Sequence, residues 1–134
     1  MLARLLRPVE VSAHCDLPCG VYDPAQARIE AESVKATIQK YNDSDDEVFK
    51  ARALQIKEER SELVKHHLWV LWTDYFKPPH FEKYPQLHQL FNEATKLAGG
   101  GGGTKASLDV AVADKLLAKI DEIATIFWET KKAA

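Results

Sequence analysis

Apolar residues recur along this chain at steps of three and four, and this pattern predicts four amphipathic helices. The first follows Asp23, a good N-cap, and Pro24, which suits a first helical position; Gln26 stands three residues after the cap. Its buried stripe is Ala27, Ala31, Val34, Ile38 and Tyr41. After a polar break at residues 42–46, a long helix over about 45–72 carries Ile56, Arg60, Leu63, His67 and Val70 on one face. A third, from 84 or 85 to 98, turns Leu87, Leu90, Phe91, Ala94 and Leu97 inward. The fourth starts near Ser107 with Ala113, Leu116, Ile120, Ile123 and Phe127, widened by Leu117 and Ala124.

The connections differ in character. Residues 73–85, TDYFKPPHFEKYP, contain Pro78-Pro79, whose two missing donors argue against regular helix and predict a long aromatic loop. Five glycines at 99–103 predict a flexible, poorly ordered linker. With no strand before them and no Gly-Lys-Ser/Thr after them, they are not a phosphate-binding loop. Residues 130–134 read as a basic, fraying tail. The architecture expected is all-α, an antiparallel four-helix bundle.

At 134 residues the chain suits one domain. A formal charge of −2 excludes a basic nucleic-acid surface, and no stretch approaches the roughly twenty apolar residues of a membrane span. The first 13 residues, MLARLLRPVEVSA, end like a signal-peptidase site. Their apolar stretch is broken by Arg4, Arg7, Pro8 and Glu10, too short for an export core of about seven or more residues. We read 1–13 as a pro-segment removed in the cytoplasm by a processing protease. The alternative is a start that stays on. Removal leaves 16 basic and 19 acidic residues, a net of −3.

Both cysteines lie in residues 14–22, HCDLPCGVY. Pro18 disfavours helix at Leu17 and Gly20 permits a tight reversal, so Cys15 and Cys19 can turn their sulfurs to one point. A Cys-x-x-x-Cys with one histidine is open to several readings: a redox pair, a disulfide in the metal-free state, or half of a zinc site. A cut between Ala13 and His14 changes this. The new terminal amine, the Cys15 amide nitrogen and the Cys15 sulfur would form consecutive five-membered chelate rings, with Cys19 sulfur at the fourth corner. Such a planar set suits nickel(II) or copper(II), whereas zinc has no reason to choose a plane. The His14 imidazole is left over as an axial ligand, and thiolates with an anionic amide would stabilise a trivalent, redox-active nickel.

The runs HCDLPCGVYDPAQARIEAES, KHH, WTDYFKPPHFEKYP and IFWETKK resemble the nickel superoxide dismutases, and the resemblance covers nearly all of the chain after Ala13. It implies one nickel ion per subunit, held by His14, Cys15 and Cys19, which disproportionates superoxide by Ni(II)/Ni(III) cycling. It further implies a cis Leu17–Pro18 bond, Asp16 and Tyr22 shaping the pocket above the metal, and Tyr75 covering it. A homohexamer packing each hook against a neighbour, and a cytoplasmic location without membrane or nucleic-acid partners, complete the expectation.

Several residues have a plain reading beside this one. Glu30, on the edge of its stripe, is either a solvated carboxylate or, as the resemblance implies, an acceptor for the His14 ring. Arg60 on an apolar face either snorkels or is paired, and the resemblance pairs it with Glu30 beside the axial histidine. His66 and His67 point about 100° apart and are read as structural; His80 and His88 are read as packing or surface residues. The aromatic loop either caps the bundle or covers the hook, with Lys77 and Lys83 attracting an anion. A nickel or copper carrier would use the same donors but leave its metal exposed. A thiol–disulfide enzyme would need a redox fold.

Overall fold

The computed structural model describes residues 19–133, and among these the regular structure is entirely helical. Helix α1 is Ala25–Asn42, α2 is Glu47–Val70, a π-helical turn covers Leu71–Tyr75, α3 is Pro78–Lys83, α4 is Leu87–Leu97 and α5 is Val110–Ala133. The four long helices close a ring in which α1 lies between α2 and α5, and α4 lies between α5 and α2. This is the expected bundle, with the short α3 added at one end. No described helix is long and apolar enough to cross a membrane.

Three of the four predicted stripes form the core. Ala27, Ala31, Val34 and Ile38 of α1, Leu87, Leu90, Phe91 and Ala94 of α4, and Ala113, Leu116, Ile120, Ile123 and Phe127 of α5 are all buried. Burying one side chain the size of Phe127 stabilises by about 1.5–3 kcal/mol. Ion pairs Arg28–Asp121 (2.9 Å), Lys35–Asp114 (2.7 Å) and Lys119–Glu93 (3.0 Å) lace α5 to α1 and α4 at the surface. Exposed pairs of this kind add little to stability, because solvent and salt screen them.

The α2 stripe differs from the sequence reading by one residue. Its core face is Ala53, Lys57, Ser61, Val64 and Leu68, while Ile56 is exposed and Leu63, His67 and Val70 are only half-buried. The cause lies in two polar residues, Lys57 and Ser61, that the core accepts because each meets a specific partner. Lys57 Nζ donates to the carbonyls of Thr104 (2.5 Å) and Lys105 (2.8 Å), and Ser61 Oγ is 2.8 Å from Thr104 Oγ1. Burial pushes the Lys57 ammonium below its ordinary pKa.

Those partners also correct the picture of the glycine run. Residues 99–103 do not hang as a slack linker; they wrap back over the end of α4. Thr104 N–H donates to Leu97 O (2.7 Å) and Lys105 N–H to Gly99 O (3.1 Å). Gly102 has φ +82, and a Cβ on Gly103 would sit 2.4 Å from Lys96 O and 2.6 Å from Leu97 O and Gly99 O. Gly103 is there for close approach, and Gly102 for its positive φ.

Pro78-Pro79 likewise does not prevent a helix but begins one, occupying the first turn of α3, where a missing N–H costs nothing. Before it, Phe76 N–H donates to Leu71 O (3.0 Å), an i to i+5 bond that brings Leu71 and Phe76 together into the core. At the other end, α5 continues to Ala133 with Thr130 buried, where a fraying tail was expected.

Candidate metal centre

The described chain opens with Cys19, exposed at the bundle end that also holds the π-helical turn and α3. Gly20 has φ +74, the tight reversal anticipated from the sequence, and it turns the Val21 N–H back onto Cys19 Sγ at 3.4 Å. A backbone N–H in that position offers an anionic sulfur a partner. Two residues on, Asp23 Oδ1 accepts from Ala25 N–H (2.8 Å), and α1 begins. The hook thus joins the bundle through a fixed corner.

Tyr22, half-buried, packs on the main core cluster and meets Tyr75 with ring centroids 5.5 Å apart. The Tyr75 ring is enclosed by Phe127 (4.3 Å), Phe76 (5.0 Å) and a near-parallel His80 (5.7 Å). Its hydroxyl lies 2.7 Å from Thr130 Oγ1. His80 Nδ1 accepts from the Lys77 N–H (3.0 Å), and burial together with the Lys77 charge pushes its pKa down, so it is a neutral ring at pH 7. His88 stacks on Phe81 (4.1 Å) and accepts from Trp72 Nε1–H (3.0 Å). Both are packing residues. Lys77 and Lys83 are exposed on α3 and its cap, with Lys83 Nζ 5.5 Å from the Tyr84 ring centre.

Glu30 and Arg60 come together. Arg60 Nη1 donates to both Glu30 oxygens, at 3.2 and 3.1 Å. Glu30 is the more sheltered partner, its side chain 16% exposed against 39% for Arg60. Because the α2 face is rotated by one residue, Arg60 sits at the edge of the core rather than within its stripe. His67 is close enough to feel the Glu30 charge, yet burial, and then His66, hold its pKa below the ordinary histidine value of 6.5.

The sign of that shift makes a prediction. Between pH 6.5 and the lowered folded value, the unfolded chain binds a proton that the folded chain refuses, so the stability present above pH 6.5 is lost as pH falls through this window. Replacing His67 by Gln should make the acid-side fall of the melting temperature shallower. Parallel falls in both proteins would show that His67 does not contribute.

His14, Cys15, Asp16, the Leu17–Pro18 bond and residues 1–13 lie outside the described residues. Among the described residues no group of three or more His, Cys, Asp or Glu could hold a metal ion. Of the three ligands that the sequence suggests, only Cys19 lies among the described residues. The donor chemistry fits nickel: an exposed soft sulfur with a backbone N–H aimed at it, three residues before the Tyr22–Tyr75 ring pair, and a clamped carboxylate in the second turn of α1. Sequence reasoning missed Thr130 and His80 as neighbours of Tyr75. The signal for Thr130 was present, since it continues the stripe of Ile123 and Phe127.

Residues 9–131 match the family described as nickel-containing superoxide dismutase. The superoxide dismutase [Ni] of Streptomyces coelicolor is 63% identical over 134 residues, covering 99% of this chain and all of that one. That of Streptomyces seoulensis is 64% identical over the same lengths. A solved native nickel superoxide dismutase superposes with a TM-score of 0.85 at 62% identity, over 89% of this chain and 99% of its own. A nickel-containing superoxide dismutase with ligation corresponding to the oxidised state gives 0.84 at 64% identity, with the same coverage.

Proposed function

The chain belongs to the nickel-containing superoxide dismutase family, and from that premise we propose how its own residues carry out the reaction. It is an oxidoreductase with a nickel cofactor that converts two superoxide ions and two protons into O2 and hydrogen peroxide. The single observation that carries the site assignment is the Cys19 corner. There a family-matched cysteine stands exposed at the bundle end, with the Val21 N–H on its sulfur and Tyr22 against Tyr75.

His14, Cys15 and Cys19 hold the ion, one per chain, once residues 1–13 have been removed in the cytoplasm. Solved relatives are matched over 99% of their length by 89% of this chain, leaving about a tenth of it unmatched, which is about the size of that segment. Bound nickel supplies reversible one-electron chemistry between its divalent and trivalent states. Around it, Asp16 and Tyr22 shape the approach, and Tyr75 backs Tyr22 so that bulk water is kept off the sulfurs. Glu30, fixed by Arg60 from one side, keeps lone pairs for the His14 ring and orients it.

Replacing Glu30 by Gln or Arg60 by Met should therefore leave nickel bound but slow turnover by roughly 10–100-fold, the usual cost of losing an orienting partner. Pulse-radiolysis kinetics on nickel-matched samples decide this, and unchanged rates would return both residues to a structural role. A carrier using the same donors would leave its metal open to chelators, whereas the tyrosine cover should protect it.

We further assign a homohexamer. Val48, Phe49, Leu54 and Ile56 expose apolar surface around the first three turns of α2, and Val21 of the hook is 73% exposed. Neighbouring copies packed there would cover both the helix and the thiolates. Sedimentation should give six chains; a monomer at micromolar concentration would contradict it.

A further inference from the structure

Thr130 belongs to the last turns of α5 and is 6% exposed. Its Oγ1 is 2.6 Å from the carbonyl oxygen of Phe127 and 2.7 Å from the hydroxyl of Tyr75. A threonine hydroxyl has one proton, and a carbonyl oxygen can only accept. The Thr130 proton therefore goes to Phe127, and the second short contact is a hydrogen bond only if Tyr75 donates it. The direction of the chain follows: Tyr75 O–H to Thr130 Oγ1–H to Phe127 C=O.

We propose that Thr130 is a positioning residue for the reaction, committing the only proton of the Tyr75 hydroxyl to the bundle interior so that the phenolic oxygen faces the hook as an acceptor. Phe127, Phe76 and His80 enclose the ring, and Lys131 Nζ lies 5.2 Å from its centre, so hydroxyl rotation is the main freedom left to decide. A hydroxyl free to turn its proton outward would give small anions a charge-assisted hydrogen bond. Superoxide and anionic product would be held alike, which retains ligands without favouring the transition state. Thr130 thus keeps the tyrosine wall from becoming an anion trap. The proposal rests on the reading that Tyr75 covers the hook through Tyr22.

Thr130→Val keeps the branched shape and removes the hydroxyl, and Thr130→Ser restores it. In nickel-free protein labelled with carbon-13 at tyrosine Cζ, the Tyr75 resonance, identified by its loss in Tyr75→Phe, should move in T130V and stay near its wild-type position in T130S. In nickel-loaded protein, with azide as the probe, the inhibition constant should fall about tenfold in T130V, the worth of one ordinary hydrogen bond. It should be unchanged in T130S, and T130V should have no effect when Tyr75 is already Phe. If T130V does not fold, Thr130→Ala carries the same tests. An unmoved Tyr75 resonance overturns the proposal. Wild-type azide inhibition in T130V, when Tyr75→Phe does alter inhibition, overturns it while leaving the covering role of Tyr75 intact. Wild-type inhibition and turnover in Tyr75→Phe overturn that covering role and the proposal together.

Discussion

Replacing Cys19 by Ser is expected to remove nickel and superoxide turnover together, with activity falling by more than about a hundredfold, beyond the loss from deleting an outer partner. A hydroxyl is a harder, far less acidic donor than a thiol, and nickel in this set depends on anionic sulfur for both affinity and its higher oxidation state. The bundle should be untouched, because Cys19 is exposed and precedes α1. Nickel analysis after gel filtration, set beside circular dichroism, checks both halves. A Cys19→Ser protein that keeps its nickel and turns over would end the thiolate assignment.

Gly103→Ala should be the most damaging single change outside the hook, costing about 3 kcal/mol or more. The added methyl would meet three backbone carbonyls, of Lys96, Leu97 and Gly99, at 2.4–2.6 Å, and backbone gives way less easily than side chains. Relieving the clash means lifting the glycine run off α4. That would take Thr104 away from Lys57 and Ser61 and leave a buried ammonium without its carbonyls. Gly100→Ala and Gly101→Ala meet nothing within 4 Å and serve as controls, near neutral or slightly stabilising. Urea unfolding separates the three. If Gly103→Ala unfolds at the wild-type midpoint, the close approach is not what holds this turn.

The contrast between neighbouring glycines shows where sequence reading reaches its limit. Periodicity identified α1, α4 and α5 because their inward positions, Thr130 apart, are apolar, and the bundle followed. On α2 the same method chose Ile56 and Leu63 over Lys57 and Ser61, since no local rule says that a lysine will find two carbonyls contributed from 47 and 48 residues away. The prolines of α3 and the glycines before Thr104 read as breaks for a related reason. Composition reports what a residue prevents, whereas only the fold reveals what it permits.

The ligand set proposed for the site, His14, Cys15 and Cys19, comes from donor type, spacing and the family resemblance, none of which needs knowledge of packing. The pairing of Glu30 with Arg60 and the contact of Tyr22 with Tyr75 depended on the family resemblance until the geometry was in hand. Thr130 escaped notice because its part comes from a hydrogen-bond chain spanning 55 positions, from α5 back to the π-helical turn. Residues that act through another group leave little local trace.

The central claim is that His14 becomes the amino terminus and holds nickel with Cys15 and Cys19. Intact mass and nickel content of the protein purified from nickel-supplied cells, with a superoxide assay on the same sample, test it most directly. The expected result is a chain beginning at His14, about one nickel per chain and fast turnover. A chain still beginning at Met1 that carries nickel and turns over superoxide would contradict it.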